Sequence, residues 1–184
     1  MSTTVEKLAD VEDKREELNR LVSDRRARAG ATITANNSLS DELALVSIDG
    51  IEVRRDGDVI RIELPSDQIF VPRSEQLSSA ASRTIDRVAS EIARSYPQHT
   101  IGIEGHTDNQ PLPPGRFASS HQLSVAQSLS VYNYVVARSE LRGSQLFVTG
   151  HAGNHPVVSN ATDAGRARNR RVELVIYPHV AGGR

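Results

Sequence analysis

The sequence predicts an α/β sandwich in which amphipathic helices pack on one face of a β-sheet. Short segments of alternating apolar residues, typical of strands, are separated by longer segments with apolar residues at helical spacing. From Val59 onwards the predicted order is strand, helix, strand, helix, strand, short helix and strand. This alternation predicts a layer of helices on a layer of sheet.

Residues 1–40 are predicted to form a charged amphipathic helix followed by a linker. Within Thr3–Arg28, apolar residues follow a spacing of three to four, and acidic and basic residues alternate on the other faces. So narrow an apolar stripe suits a helix that pairs with a second copy of itself, and a solvated linker helix is the alternative. Ala29–Asn37 is small and polar, as linkers are. The globular domain is therefore expected to span residues 41–178, with a disordered tail at 179–184.

The domain is expected to open with a β-hairpin. Ile48–Val53 and Val59–Leu64 are predicted strands, and the Asp56-Gly57 pair between them is a hairpin turn signal. In the second strand, isoleucine and leucine alternate with Arg61 and Glu63. We therefore expect one buried face and one solvated face.

The remaining elements follow from periodicity and from proline. Ser66–Ser78 is predicted to be a connecting loop, because Pro72 interrupts regular structure. The proline-rich segment Asn109–Ser120 is predicted to be a long surface loop. The predicted helices are Ser78–Tyr96, Ser119–Arg138 and Thr162–Arg168, and the predicted strands are Thr100–Gly105, Leu146–Thr149 and Val172–Tyr177.

Composition limits the classes of function. The chain has 184 residues, a net charge of −1 and no cysteine. The near-neutral charge gives no indication of a nucleic-acid partner, and neither a disulfide nor a thiolate nucleophile is available. No apolar run approaches the roughly 20 residues that span a bilayer, and the charged N-terminus does not resemble a signal peptide. We expect a chain that is soluble as given, with any export signal or membrane anchor outside it.

The candidate site lies at the end of the strand in Ile101–Asp108, with the sequence IGIEGHTD. A carboxylate where a strand meets a loop is held by a rigid scaffold and stays accessible to a ligand. Asp108 is therefore a candidate binding residue. The alternative is that Asp108 only serves the turn, since turns favour aspartate.

Several separate segments resemble the OmpA/MotB C-terminal family of peptidoglycan-binding domains. They are IF…S-x-x-L (Ile69–Leu77), GHTDNQPL (Gly105–Leu112), FASSHQLS-x-A (Phe117–Ala126), GHAGNHPVVSNAT (Gly150–Thr162) and GRARNRRVE (Gly165–Glu173). The loop that starts at Gly105, with GHTDN-x-P followed by F-x-S-x-x-x-LS, is most similar to the branch of flagellar stators and type VI secretion anchors. The resemblance implies an α+β fold with helices on a mixed sheet and a periplasmic location in the cell envelope. It also implies peptidoglycan, a second copy of the chain and membrane-embedded machine components as partners.

The resemblance implies a zwitterionic ligand, the diaminopimelate of the wall peptide. In this family the aspartate that matches Asp108, next to Thr107, takes the ligand's ammonium group, and an arginine four residues after the leucine that matches Leu123 takes its carboxylate. Here that position is Gln127. A glutamine donates one neutral hydrogen bond where an arginine donates two charge-assisted ones, so wall binding is expected to be weaker by about 1–3 kcal/mol.

Two arginines are further candidates for the binding site. Family members carry asparagine or glycine in the loop where this chain has Arg73, so Arg73 is a candidate replacement for the missing cation, with a solvated loop arginine as the alternative. Arg170 and Arg171 match the family's paired arginines. We expect one of the pair to be structural, and we assign Arg170 to the binding site.

No catalytic residues, metal ligands or cofactors are predicted. The sequence lacks a G-x-S-x-G segment, and Asp108 has no evident second carboxylate for glycosidase chemistry. His106 and Asp108, together with His151 and His155, are conceivable zinc ligands, but this family uses the first position without a metal. Two functions stay open: a peptidoglycan-binding anchor, and a dimerising scaffold whose wall pocket is degenerate.

Overall fold

The computed structural model describes residues 51–178. The predicted N-terminal helix, the linker and the tail at 179–184 therefore lie outside the described residues. Within the described residues, the strands are β1 (Glu52–Asp56), β2 (Val59–Pro65), β3 (Ile101–His106), β4 (Leu146–Ala152) and β5 (Arg171–Ile176). The helices of the same part of the chain are α1 (Ser66–Ile69), α2 (Ala81–Ser95), α3 (Ser120–Arg138) and α4 (Asp163–Asn169), with a 3₁₀ turn at Gly143–Gln145.

The strands form one mixed sheet in the order β1-β2-β5-β3-β4. β3 and β4 are parallel, whereas the other neighbouring pairs are antiparallel. The last strand of the chain thus lies between β2 and β3, which connects the hairpin to the parallel pair. The predicted fold, with helices and a mixed sheet, is confirmed.

The hairpin turn is shorter than the sequence suggested. β1 continues through Arg54 and Arg55, which were predicted to lie in the turn, and Asp56 pairs directly with Val59. Only two residues remain in the loop, and Gly57 is in the left-handed region at φ 59°. A positive φ at the first of two loop residues is the pattern of a type II′ turn, whose twist matches that of the flanking strands. The turn glycine was recognised, but its position in the turn was not.

The segment Ser66–Ser78, predicted to be a loop, contains a helical turn. α1 follows β2 without a break, and Phe70 forms an isolated bridge with Leu77. Ile69 and Phe70 are both buried, so this segment contributes to the core. The prediction was wrong because burial of these two side chains orders a stretch that has no periodicity of its own.

The core contains the apolar sides of the sheet and of the two long helices. In β2, Ile60, Ile62 and Leu64 are fully buried, as the alternation predicted. On α2, the buried residues are Ala81, Ile85, Val88, Ala89 and Ile92. Helix α3 packs closely on β3 and β4, which brings its first turns to the end of β3.

The opposite side of β2 is not solvated as predicted. The side chain of Glu63 is only 6% exposed, and Glu173 on the adjacent strand is fully buried. Arg54 donates hydrogen bonds to both of these carboxylates, and Arg61 donates to Glu173 and to Glu104 on β3. The prediction was wrong because charged side chains from four strands cover one another, which a single strand's alternation cannot show.

Candidate functional site

A cavity of about 460 Å³ lies at the end of β3. Its wall is formed by the segment after β2, the loop after β3, the start of α3 and the region of α4. All six residues that were predicted to bind ligand line this one cavity: Arg73, Thr107, Asp108, Leu123, Gln127 and Arg170. They come from four separate parts of the chain, so tertiary structure brings them together.

Asp108 is held at the floor of the cavity by hydrogen bonds to both carboxylate oxygens. Its Oδ2 accepts a hydrogen bond from Arg170 Nη1 at 2.7 Å, and its Oδ1 accepts one from the backbone N–H of Gln110 at 2.9 Å. The neighbouring Thr107 is buried, and its backbone N–H donates to the carbonyl of Ala152 at 2.8 Å. The end of β3 is thereby fixed to the end of β4, and the Asp108 carboxylate has a defined orientation.

Arg170 bridges two carboxylates of the cavity. Besides Asp108, it contacts Asp67 of α1, with Nη2 to Oδ2 at 2.8 Å. The hydrogen bond to Asp67, followed by the one to Asp108, raises the pKa of the Arg170 guanidinium despite its partial burial. Arg171, the second arginine of the pair, is buried and donates to Glu173 at 2.7 Å. Arg170 therefore lines the cavity, whereas Arg171 forms a buried ion pair with Glu173 within the sheet.

Helix α3 contributes three buried residues near its start, each with a different role. Leu123 lines the cavity, while Ser124 accepts a hydrogen bond from the N–H of Ala152 at 3.2 Å and so ties the helix to β4. Gln127 is 5% exposed, and its Nε2 donates to the carbonyl of Ser74 at 2.9 Å. The glutamine therefore binds the loop opposite α3 with one of its amide hydrogens.

Arg73 lies in that loop, in a tight turn. The N–H of Ser74 donates to the carbonyl of Val71 at 3.0 Å, with Pro72 and Arg73 in between. Arg73 has a φ of 58°, the left-handed value that the third residue of a type II turn requires. Glycine or asparagine adopts this conformation more easily than arginine does. The Arg73 side chain is exposed and has no ion pair or hydrogen bond within residues 51–178.

Opposite charges are balanced in the cavity. Three carboxylates and three guanidinium groups line it, those of Asp67, Asp108 and Asp163 and those of Arg73, Arg166 and Arg170. Arg166 pairs with Asp163 and donates to the carbonyl of Asn160 at 2.8 Å. A cavity with equal numbers of fixed opposite charges suits a ligand that carries both an ammonium and a carboxylate group.

Sequence reasoning missed Asp67, Asp163 and Arg166 as cavity residues. Asp67 lies in a segment without periodicity, and it approaches Arg170 only because the N–H of Ser66 donates to the carbonyl of Arg170 at 2.9 Å. Asp163 and Arg166 belong to the short helix α4, for which the sequence analysis assigned no binding residue. For Asp67 the signal is a contact with Arg170, 103 residues away, which no local pattern carries.

A second cavity, of about 650 Å³, lies on the polar side of the sheet, and His106 borders both cavities. Burial, reinforced by the nearby charge of Arg171, lowers the pKa of His106 to about 3. Burial alone would raise the pKa of Glu173, but the charge of Arg171 and the hydrogen bonds from Arg171 and Arg61 outweigh it and lower that pKa to about 2. This side of the sheet thus carries a neutral histidine beside an ionised glutamate.

Within residues 51–178, none of the helices combines the length and the apolar character that crossing a membrane requires.

Similarity to known proteins supports the family that the sequence resembles. Motility protein B of Bacillus subtilis (strain 168) is 36% identical over 115 residues, which are 62% of this chain and 44% of that protein. Peptidoglycan-binding protein ArfA of Mycobacterium tuberculosis (strain H37Rv) is 36% identical over 92 residues, or 50% of this chain and 26% of that protein. The chain therefore spans less than half of the length of either relative.

Solved structures of similar fold come from the same group. A MotB-like protein from Desulfovibrio vulgaris is 27% identical with a TM-score of 0.68, covering 84% of this chain and 96% of that one. The cell wall anchor of the type VI secretion system from Pseudomonas aeruginosa is 26% identical with a TM-score of 0.64, covering 70% and 88%. The descriptions of these four similar proteins name no enzyme. The model of the OmpA family matches residues 69–170, more than half of the chain, and the chain belongs to this family.

Proposed function

We propose that residues 41–178 form a non-catalytic domain that binds peptidoglycan in the periplasm and anchors an envelope machine, such as a flagellar-type stator or a secretion system. Two of the similar proteins support this proposal by their descriptions, one as peptidoglycan-binding and one as a cell wall anchor. In this proposal the ligand is the diaminopimelate-containing peptide of the wall, and the site is the cavity at the end of β3.

The observation that carries the proposal is the charge balance of the cavity. A free amino acid group presents an ammonium and a carboxylate a few ångströms apart, and both lose hydration when they enter a cavity. Fixed carboxylates and guanidinium groups replace that hydration with charge-assisted hydrogen bonds. The cavity contributes three of each.

In the proposed complex, Asp108 accepts the ligand's ammonium group. A carboxylate offers about four lone-pair positions, so Asp108 accepts further hydrogen bonds while keeping those from Arg170 and Gln110. Arg170 acts as a positioning residue because it fixes the carboxylate between α1 and β3. Thr107 and Leu123 form the wall beside it.

In the same complex, Arg73 binds the ligand's carboxylate in place of the family arginine. Gln127 is committed to the carbonyl of Ser74, so its amide supports the loop that presents Arg73. Arg73 is a lining residue of the cavity, and its guanidinium has no partner in the described part of the chain, which leaves its donors free for a ligand. The proposed cation is on an exposed loop and not at the buried position of Gln127, so we propose that wall binding is weakened relative to family members that keep the arginine on α3.

Cosedimentation of the purified chain with isolated sacculi tests the proposal. We expect the wild-type chain to pellet with sacculi and Asp108→Asn to lose most of this pelleting. Asp58→Asn is the matched control, because Asp58 is exposed in the hairpin turn, away from the cavity. Equal pelleting of the Asp108→Asn and Asp58→Asn chains would refute the assigned site.

The variant Gln127→Arg tests the explanation for weak binding. Restoring the guanidinium on α3 adds a charge-assisted pair to the ligand carboxylate, and we expect affinity for sacculi to rise roughly tenfold to a hundredfold. If Gln127→Arg leaves the affinity unchanged, the substitution at this position does not limit wall binding.

A second candidate function is a dimerising scaffold with a degenerate wall pocket. The observation in its favour is that both oxygens of Asp108 already have partners within the chain. This candidate predicts that sacculi do not retain the wild-type chain, whereas the chain still dimerises. Sedimentation with and without sacculi therefore separates the two functions.

A further inference from the structure

His106 at the end of β3 is a buried histidine without hydrogen bonds. Its side chain is 3% exposed, and neither Nδ1 nor Nε2 has a hydrogen-bond partner within residues 51–178. A buried polar atom without a partner loses its hydration and gains no hydrogen bond in return, so such atoms are rare in stable folds. Two unpartnered ring nitrogens on one side chain indicate a position where a ligand completes the structure.

The residues around His106 supply the donor atoms of a metal site. The ring of His151 stacks on that of His106, with 4.9 Å between centroids and 20° between planes. The Glu104 carboxylate lies beside both, and one ligand atom from each of these three residues falls within 4.8 Å of the others. Ligand atoms around tetrahedral zinc are about 3.3 Å apart. Side-chain rotations that move each ligand atom by about 1 Å therefore bring the three atoms to coordinating distance.

The topology of the sheet explains why these three side chains lie close together. Glu104 and His106 are two residues apart on β3 and therefore point to the same side of the sheet. β4 runs parallel to β3, and the register shifts between Gly105 and His106, where the paired residues on β4 are Gly150 and Ala152. His151 lies in this shift and is directed to the side of Glu104. The sequence had suggested His106, Asp108, His151 and His155 as conceivable ligands and predicted no metal site, whereas Asp108 faces the other cavity and Glu104 was not considered.

We propose that Glu104, His106 and His151 bind a divalent transition metal ion, with Zn²⁺ as the expected occupant. Two imidazole nitrogens and one carboxylate oxygen form a donor set that zinc accepts in proteins. The carboxylate has an outer shell that orients it, because Tyr177 donates to Oε1 at 2.9 Å and Arg61 donates to Oε2 at 3.0 Å. Such outer contacts hold ligands in position.

The arginines next to the proposed site keep hydrogen-bond acceptors when a metal ion binds. Arg61 also donates to Asp56 at 2.9 Å and to Glu173 at 2.7 Å, so it keeps two carboxylate partners if Glu104 turns towards the metal. Arg171 pairs with Glu173 and donates to the carbonyls of Asn169 and His155. The ion therefore adds charge to a region whose arginines already have acceptors.

The site is accessible from solvent. The cavity of about 650 Å³ on this side of the sheet is lined by all three proposed ligands, and the side chain of His151 is 26% exposed. The ring of His155 lies 4.7 Å from that of His151 and borders the same cavity. The fourth coordination position faces this cavity, where water or His155 completes the shell.

Titration of the full chain, purified without a polyhistidine tag, with Zn²⁺ by calorimetry tests the proposal. We expect one ion per chain, and Co²⁺ in place of Zn²⁺ gives the visible absorption bands of a low-symmetry site. His151→Ala and Glu104→Gln are each expected to weaken Zn²⁺ binding more than about tenfold, since even outer-shell changes cost 10–100-fold. His106 is not substituted because it is buried in the fold.

His121→Ala is the matched control, since His121 is an exposed histidine whose ring contacts only Asn154 among the described hydrogen bonds. It is expected to bind Zn²⁺ like the wild type. The proposal is overturned if the wild-type chain binds no Zn²⁺ at equimolar concentration. It is also overturned if His151→Ala binds as tightly as the His121→Ala control.

Discussion

At the residue scale, the side chains that line the cavity differ in whether they have hydrogen-bond or ion-pair partners within the chain. Asp108, Arg170 and Gln127 all have partners within the chain. Arg73 has none among the described residues, and it occupies a left-handed backbone position. A non-glycine residue in that conformation costs on the order of 1–3 kcal/mol, and such outliers concentrate at functional sites. Arg73 therefore combines an unfavourable backbone conformation with a side chain that the fold does not use.

Substitution of Arg73 is expected to affect wall binding and folding stability in different directions. Arg73→Asn keeps the turn, because asparagine tolerates a positive φ, but it removes the cation. We expect a melting temperature equal to or a few degrees above that of the wild type, together with weaker pelleting with sacculi. Arg87→Asn, on the exposed side of α2, is the control for loss of a surface arginine. Wild-type pelleting by Arg73→Asn would leave Arg73 as a solvated loop residue.

At the scale of elements, the contact of α3 with β3 and β4 depends on two glycines. Gly105 and Gly150 are paired across the two strands. A Cβ atom on Gly105 would lie 2.2 Å from the carbonyl oxygen of Ser124, and one on Gly150 would lie 2.7 Å from the backbone nitrogen of Val125. These are backbone atoms of α3, so they cannot rotate away. The helix approaches the sheet closely enough to place Leu123 and Gln127 beside Asp108 only because these positions lack side chains.

The variant Gly105→Ala tests this contact. The added methyl group forces α3 away from β3, and overpacking of this kind costs about 1–3 kcal/mol or more. We expect the midpoint of urea unfolding to fall accordingly. Gly115→Ala, in the proline-rich loop, is the control, because its Cβ would lie 3.8 Å from the nearest atom. Equal stability of the two variants would contradict the close approach of helix and sheet.

The polar side of the sheet gives a pH dependence of stability. The pKa of Glu173 is lowered to about 2 in the folded chain, from an ordinary value of 4.5. A lowered carboxyl pKa means that the unfolded state binds more protons at acidic pH. The stabilisation from Glu173 is therefore fully present above about pH 4.5 and is lost as the pH falls towards 2.

Glu173→Gln removes this pH dependence and leaves Arg61 and Arg171 without their shared carboxylate. Removing one partner of a buried ion pair costs about 3–5 kcal/mol, so we expect lower stability at pH 7 and a flatter profile between pH 4.5 and 2. Urea unfolding across this pH range measures both effects. Glu140→Gln, exposed after α3, is expected to follow the wild type, and a Glu173→Gln profile as steep as that control's would argue against the assigned pKa.

At the scale of the whole molecule, we propose that the binding domain is independent of the segment before it. The family model matches residues 69–170, and the strands of the described hairpin extend the sheet to Glu52. The proposed domain of residues 41–178 contains every residue of the cavity. The proposed assembling element, the amphipathic segment within residues 1–40, is separate in sequence.

Deletion of residues 1–40 tests this division. We expect the shortened chain to unfold at the same temperature and to pellet with sacculi as the full chain does, while any dimer of the full chain becomes a monomer. Thermal unfolding and analytical ultracentrifugation measure the two properties. A shortened chain that fails to fold would place the domain boundary earlier than residue 41.

The sequence by itself determined the order and type of the longer elements, because their periodicity is local: Val59–Leu64 as a strand and Ser119–Arg138 as a helix needed only the spacing of apolar residues. Local motifs also identified the family. Tertiary structure decided what no local pattern contains. It joined Asp67 to Arg170, committed Gln127 to Ser74, and buried the charged side of β2 under the side chains of neighbouring strands. Each of these depends on residues far apart in the chain, whose contact is set by strand order and by the close approach of helix and sheet.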